Sequence, residues 1–396
     1  MNTPKIDIAF IRWSLMRAFL HNGWWLVTSL YLVVNGHLTP SQLIYIGVAQ
    51  GIVSLIFEIP AGVFADTLSR KWSLVISQLL MGTAMIATGL VTSFPFLIAT
   101  QMLWGISWTF ASGADVALVT DELNEPHRIA KVLTQGARAQ LFGSALGIAA
   151  LGTLAWITSL KTAMIFSGGA MVLLGLYIVF RFQEKRFIPT KEKHWSTSWE
   201  IFKNGLGLIQ KSRPILIIFT ATFLVNGAAD AARLFPKRLT DIGFSWGIAP
   251  IVWLTALGIV TLLIGIPALR IIEARVHGLD AARRDYALAC IIGAIGLSIL
   301  AFAPSSIIGS VGILLVAGIA MPLTRTLASI QVNKIATDNV RATVHSFLAQ
   351  SEYLGEIVCG LAIGLLAQAT NLSSALMGAA ALLIATAILI VRYVKS

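Results

Sequence analysis

The sequence predicts an all-α integral membrane protein, with twelve transmembrane helices in two pseudo-symmetric six-helix bundles. Three observations carry this expectation. The 396 residues are 57% hydrophobic and only 12% charged, whereas a soluble domain carries about 25% charged residues. Apolar stretches close to the roughly 20 residues needed to cross the hydrocarbon core recur along nearly the whole chain. Lys and Arg gather in alternate loops, which requires an even number of crossings with both ends on one side.

The hydropathy pattern places the spans at about 13–35, 41–65, 72–91, 95–121, 132–158, 161–181, 214–241, 246–272, 285–303, 305–333, 342–368 and 372–393. Punctuation marks several starts. Thr39-Pro40-Ser41 precedes span 2, Phe94-Pro95 span 4, and Ala303-Pro304-Ser305-Ser306 span 10. Arg213-Pro214 opens span 7, where proline at a first helical position costs no hydrogen bond. With both termini in the cytoplasm, and basic residues at span ends counted with the adjoining loop, the even-numbered loops and the tails hold 22 of the 29 basic residues. The odd-numbered loops hold Lys161, Lys237 and Arg238, and Arg17, Arg138, Arg233 and Arg325 lie within spans. Short outer loops point to a bacterial inner membrane. Arg17, His21 and the lack of an Ala-x-Ala-like site argue against a signal peptide.

The longest polar segment divides the chain into residues 1–181, a cytoplasmic linker at 182–213, and residues 214–396. Within the linker, Ser198–Gln210 reads either as an amphipathic surface helix or as a solvated connection. A shift of 212 residues superposes Gly143 on Gly355 and Gly152 on Gly364, a faint internal repeat. The net charge of +11 reports topology rather than nucleic acid, because no soluble basic domain exists to hold a duplex. Cys290 and Cys359 both fall in apolar spans, so neither a structural disulfide nor a metal site is expected, and no cofactor is implied. A monomer in lipid is expected.

The stretch Glu58-Ile-Pro-Ala-Gly-Val-Phe-Ala-Asp-Thr-Leu-Ser-Arg-Lys71 closes span 2 and leads into span 3. Its pattern Gly62-x-x-Ala65-Asp66-x-x-x-Arg70-Lys71 resembles the loop 2–3 signature of the major facilitator superfamily of secondary transporters. Glu58-x-Pro60-x-Gly62 is similar to that family too, and Arg341-Ala-Thr-Val-x-Ser346 resembles its drug-efflux-type members. The resemblance implies the major facilitator fold, a small-molecule substrate and alternating access. It implies that Gly62, Asp66, Arg70 and Lys71, with Asp121 at the end of span 4 and Arg341 at the start of span 11, form a gate. It also implies that spans 1, 4, 7 and 10 line the central cavity. Arg17, His21, Asn22, Trp24, Trp25, Asn226, Asp230, Arg233 and Arg325 are then cavity candidates. Trp24 and Trp25 are neighbours on a helix, so one is expected to face away.

Each charge within the bilayer needs a reason, since it costs about 2.5–3.5 kcal/mol on insertion scales. The acids Glu58, Asp115, Asp230, Glu352 and Glu356 nearly balance the four intramembrane arginines, which suggests ion pairs. Asp115 and Arg138 lie at comparable depth on consecutive spans and are expected to form a structural pair. Asp230 and Arg233 are three apart and share a helix face. Glu352 and Glu356 are four apart, and two like charges on one face of a low dielectric cannot both ionise cheaply. They are expected to share a proton, or to meet a base such as Arg138 or Arg325. Glu352, Glu356 and Asp230 are therefore the candidates for proton coupling. Gly143-x-x-x-Gly147 and Gly360-x-x-x-Gly364 permit close helix contact. Efflux members resembling this chain often carry a Gly-Pro signature in span 5, and here Ile148 follows Gly147.

The leading expectation is proton-coupled efflux of a small amphipathic compound. The alternatives are proton-coupled uptake of a metabolite or organic anion through Arg17, Arg233 or Arg325, and a transporter-like sensor without turnover. No phosphate-binding loop of the Gly-x-x-x-x-Gly-Lys-Ser/Thr kind is present, and no Ser/His/Asp set follows from spacing, so enzymatic chemistry is not expected.

Overall fold

The computed structural model describes residues 6–189, 213–275, 278–335 and 338–394, and among them all regular structure is helical. Eleven segments of these residues are long and apolar enough to cross a membrane. A twelfth helix, α1 (Ile6–Val34), is 29 residues long but more polar, carrying Asp7, Arg12, Arg17 and His21. The expected architecture of twelve spans is therefore present. The linker helix expected at 198–210 lies outside the described residues.

The uninterrupted spans include α2 (Pro40–Thr67), α3 (Arg70–Leu90), α6 (Pro126–Ile157), α7 (Leu160–Arg181), α10 (Pro250–Arg275), α11 (Leu279–Ala301), α14 (Asp338–Ala369) and α15 (Leu372–Val394). Three spans expected to be unbroken are interrupted, each for a local reason. Span 4 divides into α4 (Phe94–Ala111) and α5 (Ala114–Leu123) at Gly113, whose φ of 73° is left-handed, a conformation open to glycine. Span 7 runs as α8 (Arg213–Ala229), a 3₁₀ turn at Asp230–Leu234, and α9 (Phe235–Ile242). Pro236 has no N–H to continue the α-helical ladder there. Span 10 runs as α12 (Ser306–Ile313), a π-helical stretch at Leu314–Ala320, and α13 (Met321–Ile335). Pro322 likewise leaves the carbonyl of Gly318 without its usual donor.

The chain forms two compact units. The first comprises Met1–Leu38, Ile52–His194 and Ile251–Ala256, and the second Thr39–Gly51, Trp195–Pro250 and Leu257–Ser396. In the first, α1 packs along α6 and α3 along α7. In the second, α11 packs along α15 and α8 along α14. Glycines allow backbones to touch where they cross. A Cβ at Gly143 or Gly147 would strike the carbonyl oxygens of Leu15 and Phe19, and one at Gly355 would strike that of Phe223. Gly143 and Gly355, superposed by the 212-residue shift, thus play the same part in their own units. Small residues at such crossings are what helix association in lipid selects, because van der Waals contact rather than water drives it.

Gly147→Leu should lower thermal stability in detergent sharply, since overpacking alone costs about 1–3 kcal/mol. Gly169→Leu should change it little, because a Cβ there meets nothing within 4 Å. Equal melting temperatures for the two variants would contradict the glycine-mediated contact.

Candidate functional site

Three clusters of polar side chains stand out. The first surrounds the turn between α2 and α3. Ser69 caps α3, its Oγ accepting from Trp72 N–H at 3.0 Å and donating to Glu184. Glu184 also accepts from the backbone N–H groups of Arg70 at 2.7 Å and Lys71 at 3.2 Å, placing an anion at the positive end of the helix. The Arg70 guanidinium pairs with Asp121 and lies 3.5 Å from Asp66. The Lys71 ammonium donates to the carbonyl of Val179 at 2.8 Å. Asp66, Arg70 and Asp121 therefore come together as the loop signature implies. A Cβ at Gly62 would meet nothing within 4 Å. Arg341 lies on α14, and its side chain is outside the described residues.

The second cluster is in the second unit. The 3₁₀ turn eclipses positions three apart, so Asp230 and Arg233 fall on one line and their side chains pair through Oδ1 and Nε. Arg233 Nη2 also donates to Glu356 at 3.2 Å and to Gln50 at 2.6 Å. Asp230, Arg233 and Gln50 are all buried or nearly so. The second Asp230 oxygen, Oδ2, is buried with no hydrogen-bond partner among the described residues. Glycine at 47 is required for this approach, because a Cβ would strike Asp230 and Arg233. Gly360 sits against Val48 and Ile44, and Gly364 against Tyr45. The Gly360-x-x-x-Gly364 pair thus seats the Thr39–Gly51 segment beside the charges.

Glu352 belongs elsewhere. It lies 3.6 Å from Arg325 on the wall of a cavity of about 550 Å³ that is also lined by Asn226, Tyr286 and Met321. Of the two alternatives expected from sequence, a shared proton or a meeting with a base, the geometry places Glu352 against Arg325, a base named there, and Glu356 against Arg233. Each acid is turned to its own guanidinium, and Asp230 is the carboxylate that shares a base with Glu356.

The third cluster is in the first unit. Arg17 lies with its guanidinium carbon 4.7 Å from the Trp108 ring centre and 5.3 Å from that of Trp13. His21, one turn on, stacks at 5.4 Å on Trp104, with Trp108 at 5.6 Å. Trp24 and Trp25 both flank Trp104, at 6.4 and 5.5 Å. Trp24 is buried and Trp25 half-buried, so the two neighbours differ in exposure while both lie near Trp104. Asn22 is a tie between helices, donating to the Ala18 carbonyl and to Ser144 Oγ on α6, each at 3.0 Å. Asp115 acts electrostatically on Arg17. Arg138 is exposed and makes no ion pair among the described residues, so the expected Asp115–Arg138 pair is not formed. The break at Gly113 starts a new helix one residue before Asp115 and aims it toward α1.

Sequence reasoning missed Gln50, Glu184, Trp104 and Trp108. The spacing Trp104-x-x-x-Trp108, which places two indoles on one helix face, is the signal that could have found the tryptophans. Gln50 and Glu184 carry no pattern of their own. Among the described residues, no group of three or more His, Cys, Asp or Glu could hold a metal.

The model of the Major Facilitator Superfamily matches residues 13–358. A protein of Bacillus subtilis (strain 168), described as the uncharacterized MFS-type transporter YxaM, is 23% identical over 347 residues, covering 84% of this chain and 82% of that protein. A variant of the nucleoside transporter NupG superposes with a TM-score of 0.80 at 14% identity, over 98% of this chain and 99% of that one. A D-xylose-proton symporter superposes with a TM-score of 0.73, also at 14% identity, over 98% and 96%. At such identities the solved structures establish a shared fold.

Replacing Arg233 with Met should destabilise the protein by about 3–5 kcal/mol, because the buried Asp230 and the half-buried Glu356 lose their partner. Adding Asp230→Asn should recover part of that loss. Thermal denaturation in detergent reads both effects, and an Arg233→Met variant as stable as wild type would contradict the assignment.

Proposed function

The chain belongs to the Major Facilitator Superfamily, and from that premise we propose that it moves a small organic solute across a membrane by alternating access, coupled to protons. The membrane we assign is a bacterial inner membrane with both termini in the cytoplasm, on the distribution of Lys and Arg.

One observation carries the proton coupling. Asp230 and Glu356 share the single guanidinium of Arg233 in apolar surroundings. Fully ionised, that group bears one surplus negative charge, which a low dielectric disfavours. One proton neutralises it, and it belongs to the cluster rather than to either acid. Asp230 Oδ2, without a hydrogen-bond partner among the described residues, offers a place for that proton. Glu352 and Arg325, the other charges on facing elements, balance one another. Proton loss draws Arg233 more fully onto the two carboxylates and weakens its bond to Gln50. The Thr39–Gly51 segment then has a differential interaction with the two protonation states, which a switch requires. The Asp66–Arg70–Asp121 group supplies a second latch, the gate implied by the loop signature.

Efflux by exchange with protons is the leading expectation from sequence. Uptake by symport is a second reading, favoured by Ile148 in place of the proline of the efflux-type signature and by the shared fold with a D-xylose-proton symporter. The sign of the pH-gradient effect separates the two.

In proteoliposomes, a panel of labelled nucleosides, sugars, peptides and organic acids should yield a solute whose accumulation follows an imposed pH gradient and collapses with a protonophore. Glu356→Gln should lose that accumulation yet retain solute counterflow. Accumulation indifferent to protonophore would overturn the coupling. Asp66→Asn should reduce flux at least about tenfold, since it removes one arm of a charged latch. Wild-type rates in correctly inserted Asp66→Asn protein would remove the gate.

A further inference from the structure

Three of the four arginines placed in the clusters have carboxylates in reach: Arg70 has Asp66 and Asp121, Arg233 has Asp230 and Glu356, and Arg325 has Glu352. Arg17 makes no ion pair within 4 Å among the described residues. Its guanidinium instead lies over the rings of Trp108 and Trp13, and its Nε is buried without a hydrogen-bond partner among those residues. The same holds for His21 Nε2 and for the indole N–H groups of Trp24 and Trp104. These atoms belong to one run of stacked planes. His21 lies against Trp104 at 22° between rings, and Trp104 against Trp108 at 25° and 5.8 Å. Trp108 is partly exposed, so the stack has an open end.

We propose that this face of the first unit binds a flat aromatic carboxylate, with the carboxylate on Arg17 and the ring continuing the His21–Trp104–Trp108 stack. This identifies a substrate class and rests on the reading of the chain as a transporter. The chemistry selects the class by elimination. An uncharged aromatic leaves a desolvated guanidinium unpaired. An aliphatic anion satisfies Arg17 but leaves the ring faces without the offset or edge contacts they favour. A doubly charged anion such as a phosphate monoester brings two negative charges to the single guanidinium that faces the stack. A single negative charge on a planar ring satisfies all three demands, and Arg presents the planar fork that matches a carboxylate.

Calorimetric titration of the purified full chain in detergent tests this, with 2-naphthoate as probe and 2-naphthamide and cyclohexanecarboxylate as controls. The probe should bind at least about tenfold more tightly than either control, equivalent to about 1.4 kcal/mol. Arg17→Gln should bring 2-naphthoate down to the affinity of 2-naphthamide, and Trp108→Leu should weaken both aromatic compounds. Cyclohexanecarboxylate binding as well as 2-naphthoate, or undiminished 2-naphthoate binding in stable Arg17→Gln protein, would overturn the assignment. The comparison of ligands on the wild type decides the matter even if a variant fails to fold. Binding of 2-naphthoate without gradient-driven uptake or export of it contradicts the transport reading and leaves the site intact. Gradient-driven transport of another solute, with no 2-naphthoate binding, contradicts the site alone.

Discussion

A charge removed from water must be matched nearby, and this constraint organises the interior of the protein. Arg233 meets it with two carboxylates and an amide, leaving one negative charge in excess. Under the proton coupling we propose, that excess is what makes the ion pair proton-sensitive. The same constraint is met differently at Arg325, by a single loose pairing with Glu352 beside a cavity. At Arg17 aromatic faces meet it only in part, and Nε is left without a hydrogen-bond partner among the described residues. Three arginines thus have three kinds of partner. In the reading we propose, the first kind serves proton exchange and the third ligand capture.

Interruptions in the helices put these groups in place. The left-handed Gly113 starts a new helix that carries Asp115 toward Arg17. The 3₁₀ turn before Pro236 aligns Asp230 with Arg233. The π-helical stretch before Pro322 precedes the part of span 10 that carries Arg325. Irregular backbone within a membrane is tolerated where it is buried in protein or lines a cavity, and here it coincides with charge. Regular glycine-mediated contacts, such as Gly147 on Phe19 and Gly355 on Phe223, hold the remaining helices at close range around these breaks.

The spans, their number and the loop signature are legible in the sequence because hydropathy and local spacing determine them. Asp66, Arg70 and Asp121 meet as the signature implies. The pairing of distant charges is not legible. Glu352 and Glu356 look alike on a helical face, and only the tertiary positions of Arg325 and Arg233 separate them. Depth alone pairs Asp115 with Arg138, but depth ignores how a break at Gly113 redirects a side chain. Pro236 and Pro322 are visible signals of interruption, yet membrane helices often absorb proline, so the position of a break is settled by packing. Gln50 has no local signal, since its role depends on Gly47 and Gly360 bringing its segment against Asp230.

Proton coupling through Arg233 requires that the Asp230–Arg233–Glu356 cluster hold an exchangeable proton. Infrared difference spectroscopy of the reconstituted protein, stepped in pH and repeated in deuterated buffer, observes that proton directly. A protonated-carboxyl band is expected at neutral pH that shifts on deuteration, bleaches as pH rises, and vanishes in Glu356→Gln or Asp230→Asn. A spectrum without such a band, or a band unchanged in both variants, would contradict the shared proton.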